Sequence, residues 1–220
     1  MKRFAAMISE LEETTKTARK TEVLAQYMLT APKQDRLWCL ALFSGRRPKR
    51  SVTTSQLREW AADVAGLPLW LLEETYSVVG DLAETIALIL PEEDQNIDRT
   101  LSYWMDQLRR LRNCGIDEKK LFILESWALL GGKERFVFNK LITGGFRVGV
   151  SQKLMTKAVA QATSKPEAEI AHRLMGNWSP DKTDWYALIE SDDFTADLSR
   201  PYPFYLSDAL VGIPRELGAP

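Results

Sequence analysis

Apolar residues along the chain recur mostly at spacings of three and four, the signature of helices with one buried face. Phe4, Ile8 and Leu11 form a short stripe, Leu24, Tyr27 and Met28 a second, and Leu37, Leu40, Ala41 and Leu42 a third. Ile97, Leu101, Trp104, Met105, Leu108 and Leu111 make the longest clean stripe, with Asn96 as its expected N-cap. Gly115 breaks that pattern, and Asp117 is the expected cap of the next helix, which carries Leu121, Leu124 and Ala128. Pro32-Lys33 and Gly131-Gly132 punctuate the helices, and strand-like alternation is scarce. The pattern predicts an all-α, compact multi-helical domain of roughly ten helices over residues 1–198, joined by short loops. From Ser199 to Pro220 the chain turns Pro- and Gly-rich, as in Arg200-Pro201-Tyr202-Pro203-Phe204-Tyr205, and is expected to be an extended lead-in to another domain.

Within the helical part the chain repeats itself. The segment DRLWCLALFSG ends at Gly45 and ERFVFNKLITG ends at Gly144. Each reads acid, Arg, apolar helix, small hydroxyl residue, Gly. Each then enters a short basic loop that leads to a hydroxyl residue placed to cap a new helix, Thr54 in the first copy and Ser151 in the second. The helices that follow, SQLREWAADVA and QKLMTKAVAQA, both run to an Ala-rich end. Two related halves are expected, near residues 33–90 and 132–190.

The unit helix, glycine turn, basic loop, helix N-terminus gathers flexible glycines, cations and unpaired backbone N–H groups at one spot, a combination that binds phosphate. Its structural alternative is plain. Gly45 and Gly144 suit helix C′ positions, and cations near a helix C-terminus answer its dipole. One copy alone favours that alternative; two copies in the same order bring anion binding level with it.

In the first loop Arg46, Arg47, Lys49 and Arg50 surround Pro48, which stiffens the turn. Arginine's planar fork suits two phosphate oxygens at once. In the second loop Gly144, Gly145 and Gly149 let the backbone approach a bulky partner. Phe146, Val148 and Val150 are placed to anchor that loop while Arg147 projects from it, and Lys153 and Lys157 follow on the next helix. The glycines do not fit a dinucleotide fingerprint, and Gly131-Gly132-Lys133 lacks Walker A spacing. The seven tryptophans fall mostly on apolar helical faces, which assigns them to the core rather than to base stacking.

Composition narrows the function. At 45% hydrophobic and 27% charged the chain is an ordinary soluble domain, without an apolar run of the roughly 20 residues a membrane span requires. No signal peptide opens it, so a cytoplasmic location is expected. A net charge of −1 offers no support for nucleic-acid binding by itself, so any such support rests on where the charge sits. With one histidine, His172, and two separated cysteines, Cys39 and Cys114, no zinc site and no metal site is expected. The cysteines read as buried free thiols. No Gly-x-Ser-x-Gly elbow occurs, and no catalytic residue is assigned.

At the segments RFVFNKLITGGFRVGVSQKLMTKAVAQ, LFSGRRPKR and ETYSVVGDLAETIALIL the sequence resembles the N-terminal DNA-binding domain of ATP-dependent DNA ligases, in particular bacterial members similar to archaeal and eukaryotic replicative enzymes. The resemblance runs over essentially the whole chain. It implies an all-helical fold with pseudo-two-fold symmetry that lies on the minor groove around a nick and contacts phosphates without reading sequence. On that resemblance Gly144, Gly145, Arg147, Gly149, Ser151 and Lys153 carry the DNA contacts of the second half, and Gly45, Arg46, Arg47, Lys49 and Arg50 those of the first. The ligase family forms a lysyl-AMP intermediate at a Lys-x-Asp-Gly motif, and this chain contains no Asp-Gly pair. The resemblance therefore implies a non-catalytic, cofactor-free piece of a larger enzyme. That enzyme would use ATP and magnesium to join a 5′-phosphate to a 3′-hydroxyl in repair, replication or recombination. The partners expected are duplex DNA carrying a nick and a catalytic domain in the same polypeptide, near the bacterial nucleoid.

Two other readings stay open on the residues alone. A helix-turn-helix regulator would use Gln152, Lys153, Lys157 and Gln161 on the helix after Ser151 to read bases. A helical protein-interaction scaffold would make the basic loops incidental.

Overall fold

The computed structural model describes residues 1–91 and 98–191, and every regular element among them is helical. In chain order these are α1 (Lys2–Glu12), α2 (Thr17–Thr30), α3 (Lys33–Phe43), α4 (Thr54–Ala65), α5 (Leu69–Val79), α6 (Leu82–Ile89), α7 (Leu101–Arg110), α8 (Ile116–Leu129), α9 (Gly132–Thr143), α10 (Gln152–Thr163) and α11 (Glu167–Met175). A 3-10 turn, Leu111–Asn113, follows α7, and a π-helical turn, Tyr186–Glu190, follows α11. The stripe beginning at Ile97, its expected cap Asn96 and the segment 199–220 fall on, or extend into, positions outside the described residues.

Hydrophobic periodicity chose most buried faces. The stripes on α1, α2, α3 and α7 are all buried, including Phe4, Leu24, Leu37 and Leu101. Helix α8 departs from expectation. It buries Ile123, Ser126 and Trp127, while Leu121 is 60% exposed. Phe122, Ile123, Leu124, Trp127, Ala128 and Leu129 surround its axis, so the sequence holds no single apolar stripe and packing alone selects the face. Six of the seven tryptophans are buried; Trp70, at the start of α5, is 64% exposed. Cys39 is fully buried, but Cys114, just after the 3-10 turn, is only half-buried.

Three expected caps move. Thr53, not Thr54, caps α4: its side chain accepts from Gln56 N–H, and the Gln56 amide oxygen accepts from Thr53 N–H, a reciprocal capping box. Thr100 caps α7 through Tyr103 N–H. At α8 the cap position is Gly115, whose N–H donates to Glu118, and Asp117 lies within the first turn. In two of these an acceptor three residues on decides the register, which a search for hydroxyl or acidic residues alone overlooks.

Long-range polar contacts join the helices. Asp35, on the first turn of α3, is buried and accepts from Leu101 N–H at 3.1 Å and Ser102 N–H at 2.8 Å, a second cap on α7 supplied from 66 residues away. Arg36 donates to the Leu29 and Ala31 carbonyls at the end of α2. Its counterpart in the repeat, Arg135, is fully buried and donates to Trp127 O in α8 and to Leu90 O and Pro91 O after α6. The acid-Arg pair common to both copies thus gives each an arginine that ties down the end of the preceding helix. Around Arg135, α9 packs on α6 and α7, and Trp104, Phe122 and Phe138 bring α7, α8 and α9 together.

Candidate nucleic-acid interface

Both repeat units end their first helix with a left-handed glycine, Gly45 at φ +73° and Gly144 at φ +87°. A side chain in this region costs roughly 1–2 kcal/mol, which is why glycine stands there. After Gly45 the Arg46 N–H reaches back to Ala41 O at 2.8 Å, the six-to-one bond of a Schellman turn. After Gly144 the chain passes through Gly145–Val150 to Ser151, whose hydroxyl caps α10 by accepting from Leu154 N–H at 3.2 Å.

The two loops meet. Arg50 of the first donates to Thr143 O of the second repeat at 2.7 Å. Arg47 lies 5.7 Å over the Phe146 ring. A side chain built on Gly144 would come within 3.3 Å of Arg47 Nη1 and 3.5 Å of Arg50 Nη2, so both guanidiniums flank that glycine. Burial, and then the neighbouring Arg50 charge, push the Arg47 pKa below its ordinary value. Two cations crowd here, and neither forms an ion pair with a carboxylate among the described residues.

The first loop has a structural duty that the sequence did not reveal. Arg46 folds inward. It donates to the carbonyls of Leu174, Gly176 and Trp178 at the end of α11 and stacks 4.9 Å over the Trp178 ring. Arg47 Nε donates to Leu42 O near the end of α3, and Arg50 serves the end of α9. Three helix C-termini therefore converge on one loop, each with an arginine on its orphan carbonyls. Lys49 and Arg50 remain exposed to solvent and Arg47 is half-buried.

The second loop is anchored from beneath. Val148 is buried, and Phe146 packs edge-on against Phe4 at 5.8 Å and in a tilted contact against Phe43 at 6.1 Å. Lys20, on α2, donates to the Val148 carbonyl. Gly149 has φ +65°, and a side chain there would meet Lys20 Nζ at 2.7 Å. Arg147 projects to solvent between these anchors, and Lys153 and Lys157 are exposed on α10. Gly80 and Asp81 form the neighbouring turn: Asp81 caps α6 through Ala83 and Glu84 N–H and pairs with Lys140 of α9. A groove of about 330 Å³ lies here, lined by Thr143, Gly145 and Arg147 together with Thr54 and Arg58 of the first repeat.

Every predicted site residue thus lies on or beside these two adjoining loops, with Arg46 half-buried and its guanidinium engaged by carbonyls at the end of α11. Lys20, Lys140 and Arg58 were missed because they enter from other helices. Only the Gly-Asp pair ahead of α6 carried any signal, through the family resemblance. Among the described residues no three His, Cys, Asp or Glu side chains stand together as a metal site. No helix among them is long and apolar enough to cross a membrane.

Residues 1–160 match the family model described as DNA ligase N terminus, a span that includes both loops, Gly80-Asp81 and the first turns of α10. No curated protein matches the chain. The all-helical architecture agrees with that family. The chain belongs to the family of N-terminal domains of ATP-dependent DNA ligases.

Proposed function

We propose that this chain binds duplex DNA through backbone phosphates across the minor groove, without regard to sequence, and positions a nick for a catalytic domain in the same ligase polypeptide. The observation that carries this reading is the meeting of the two loops at Gly144. There Arg47, Lys49, Arg50, Arg147 and Lys153 form no ion pair with a carboxylate among the described residues, although the whole chain is slightly acidic. Cations crowded against one another beside left-handed glycines favour an incoming polyanion, because it relieves their repulsion and displaces only loosely held counterions. Arg46 is assigned to the fold, and phosphate contact to the exposed cations and the backbone at Gly144, Gly145 and Gly149. In the full-length enzyme, ATP and magnesium would serve the catalytic domain.

The test is a titration of labelled nicked and intact duplexes of two unrelated sequences over several salt concentrations. Equal affinity for the two sequences, and a fall of about 0.9 log units per log unit of salt for each phosphate neutralised, is the expected result. A preference of several kcal/mol for one sequence would transfer the site to a helix-turn-helix regulator using the exposed face of α10. Absence of salt-sensitive binding would favour a protein-interaction scaffold.

A further inference from the structure

The C-terminal end of α7 carries Arg109 and Arg110, and the 3-10 turn adds Arg112. These three guanidinium side chains wall an open cleft of about 580 Å³, together with Asp106, Asn113 and, from the first loop, Pro48. Arg109 is held between two carboxylates, Asp106 at 3.6 Å and Asp181 at 2.8 Å. Its charge is answered and it serves as a fixed wall. Arg110 and Arg112 are exposed and form no ion pair among the described residues.

Cations at a helix C-terminus are in part a structural matter, because they offset the negative end of the dipole. That end is equivalent to about half an elementary charge. Two unanswered guanidiniums exceed it about fourfold, so the dipole does not account for them. An open, polar, cationic cleft suits the fork-to-oxygen geometry by which arginine holds phosphate. Pro48 stands between Arg47 and Lys49 in the chain, so the cleft borders the first loop and continues its cationic surface.

The geometry points to a further phosphate-binding cleft, formed by Arg110 and Arg112 with Asn113 and Pro48, that takes the sugar-phosphate backbone of the same DNA beyond the two-loop interface. This rests on the DNA-binding reading above and extends its footprint on the side of the first loop. Arg109 is a positioning residue there, fixed by Asp106 and Asp181.

The test uses the full chain and three proteins: wild type, R110A/R112A and R110K/R112K. Binding to a labelled duplex is followed by fluorescence anisotropy across salt concentrations, with circular dichroism melts to confirm that each variant folds. The Ala pair is expected to bind on the order of tenfold more weakly at 0.1 M salt, with a salt slope shallower by about 1.8, the worth of two phosphates. The Lys pair, which keeps the charge, is expected to retain most of the slope. Wild-type binding that is unchanged in R110A/R112A while Arg147→Ala weakens it overturns this cleft and leaves the two-loop reading standing. A wild type that binds no duplex overturns both. If polyglutamate binds in a way that depends on Arg110 and Arg112 while duplex affinity does not, the cleft serves an acidic protein segment and the phosphate assignment is overturned.

Discussion

Neighbouring arginines in this protein do opposite work. Arg46 has its guanidinium on three carbonyls and a tryptophan ring, whereas Arg147 stands in solvent on a loop pinned by Phe146, Val148 and Lys20. Replacing Arg46 by Ala leaves carbonyls at the end of α11 without their charged donor, at a cost of about 2 kcal/mol. In a domain of this size that lowers the melting temperature by roughly 4–8 °C. The slope of DNA affinity against salt is expected to hold, and calorimetry beside a salt titration checks both. Replacing Arg147 by Ala reverses the pattern. Stability is unchanged within about 0.5 kcal/mol, while affinity falls about equally for unrelated duplexes and the slope loses about 0.9. An unaltered slope would return the second loop to a structural role. Gly149→Val removes no charge, yet it forces a branched side chain into a left-handed conformation and against Lys20. It should weaken binding with little change in slope, because the loop backbone no longer reaches the phosphate.

At the level of elements, helix ends organise the molecule. Arginines of the first loop close α3, α9 and α11, Arg36 closes α2, and Arg135 ties α8 to the segment after α6. Asp35 closes α7 from the start of α3. Because its carboxylate is buried and accepts two backbone N–H groups, Asp35→Ala should cost about 2 kcal/mol. Asp35→Asn keeps one acceptor oxygen and should lose less. Chemical denaturation of both variants decides the matter, and equal stability of Asp35→Ala and the wild type would show that Thr100 suffices as the cap. These cross-helix caps also explain why the loops lie together: the first loop cannot satisfy α9 and α11 without resting against the second.

For the whole molecule, the family assignment and the charge distribution bear on what the domain does alone. In a chain of net charge −1, the two loops and the end of α7 carry exposed cations that form no ion pair among the described residues, which gives this part of the surface a locally positive character. The sequence holds no Lys-x-Asp-Gly segment, and on the DNA-positioning role proposed above, incubation with ATP and magnesium should give no covalent AMP adduct. Mass spectrometry of the incubated protein measures this directly, and an added AMP would place a nucleophile where none is proposed.

Local chemistry was legible in the sequence wherever it was self-contained. The helices with one apolar stripe, the left-handed glycines at 45 and 144, the Ser151 cap and the apolar anchors of the second loop all depend on residues a few positions apart, and short-range spacing specifies them. The internal repeat exposed the paired loops because both copies meet the same steric demand at their glycines. Tertiary structure alone decided the rest. It chose the buried face of α8, where apolar residues all round leave periodicity without a direction. It turned Arg46 inward and left Lys49 out, although adjacent cations in a basic run look alike until the carbonyls of α11 arrive from about 130 residues away. It also brought the two loops into contact, since the demand of an unsatisfied helix end is met by whichever donor the packed chain delivers to it.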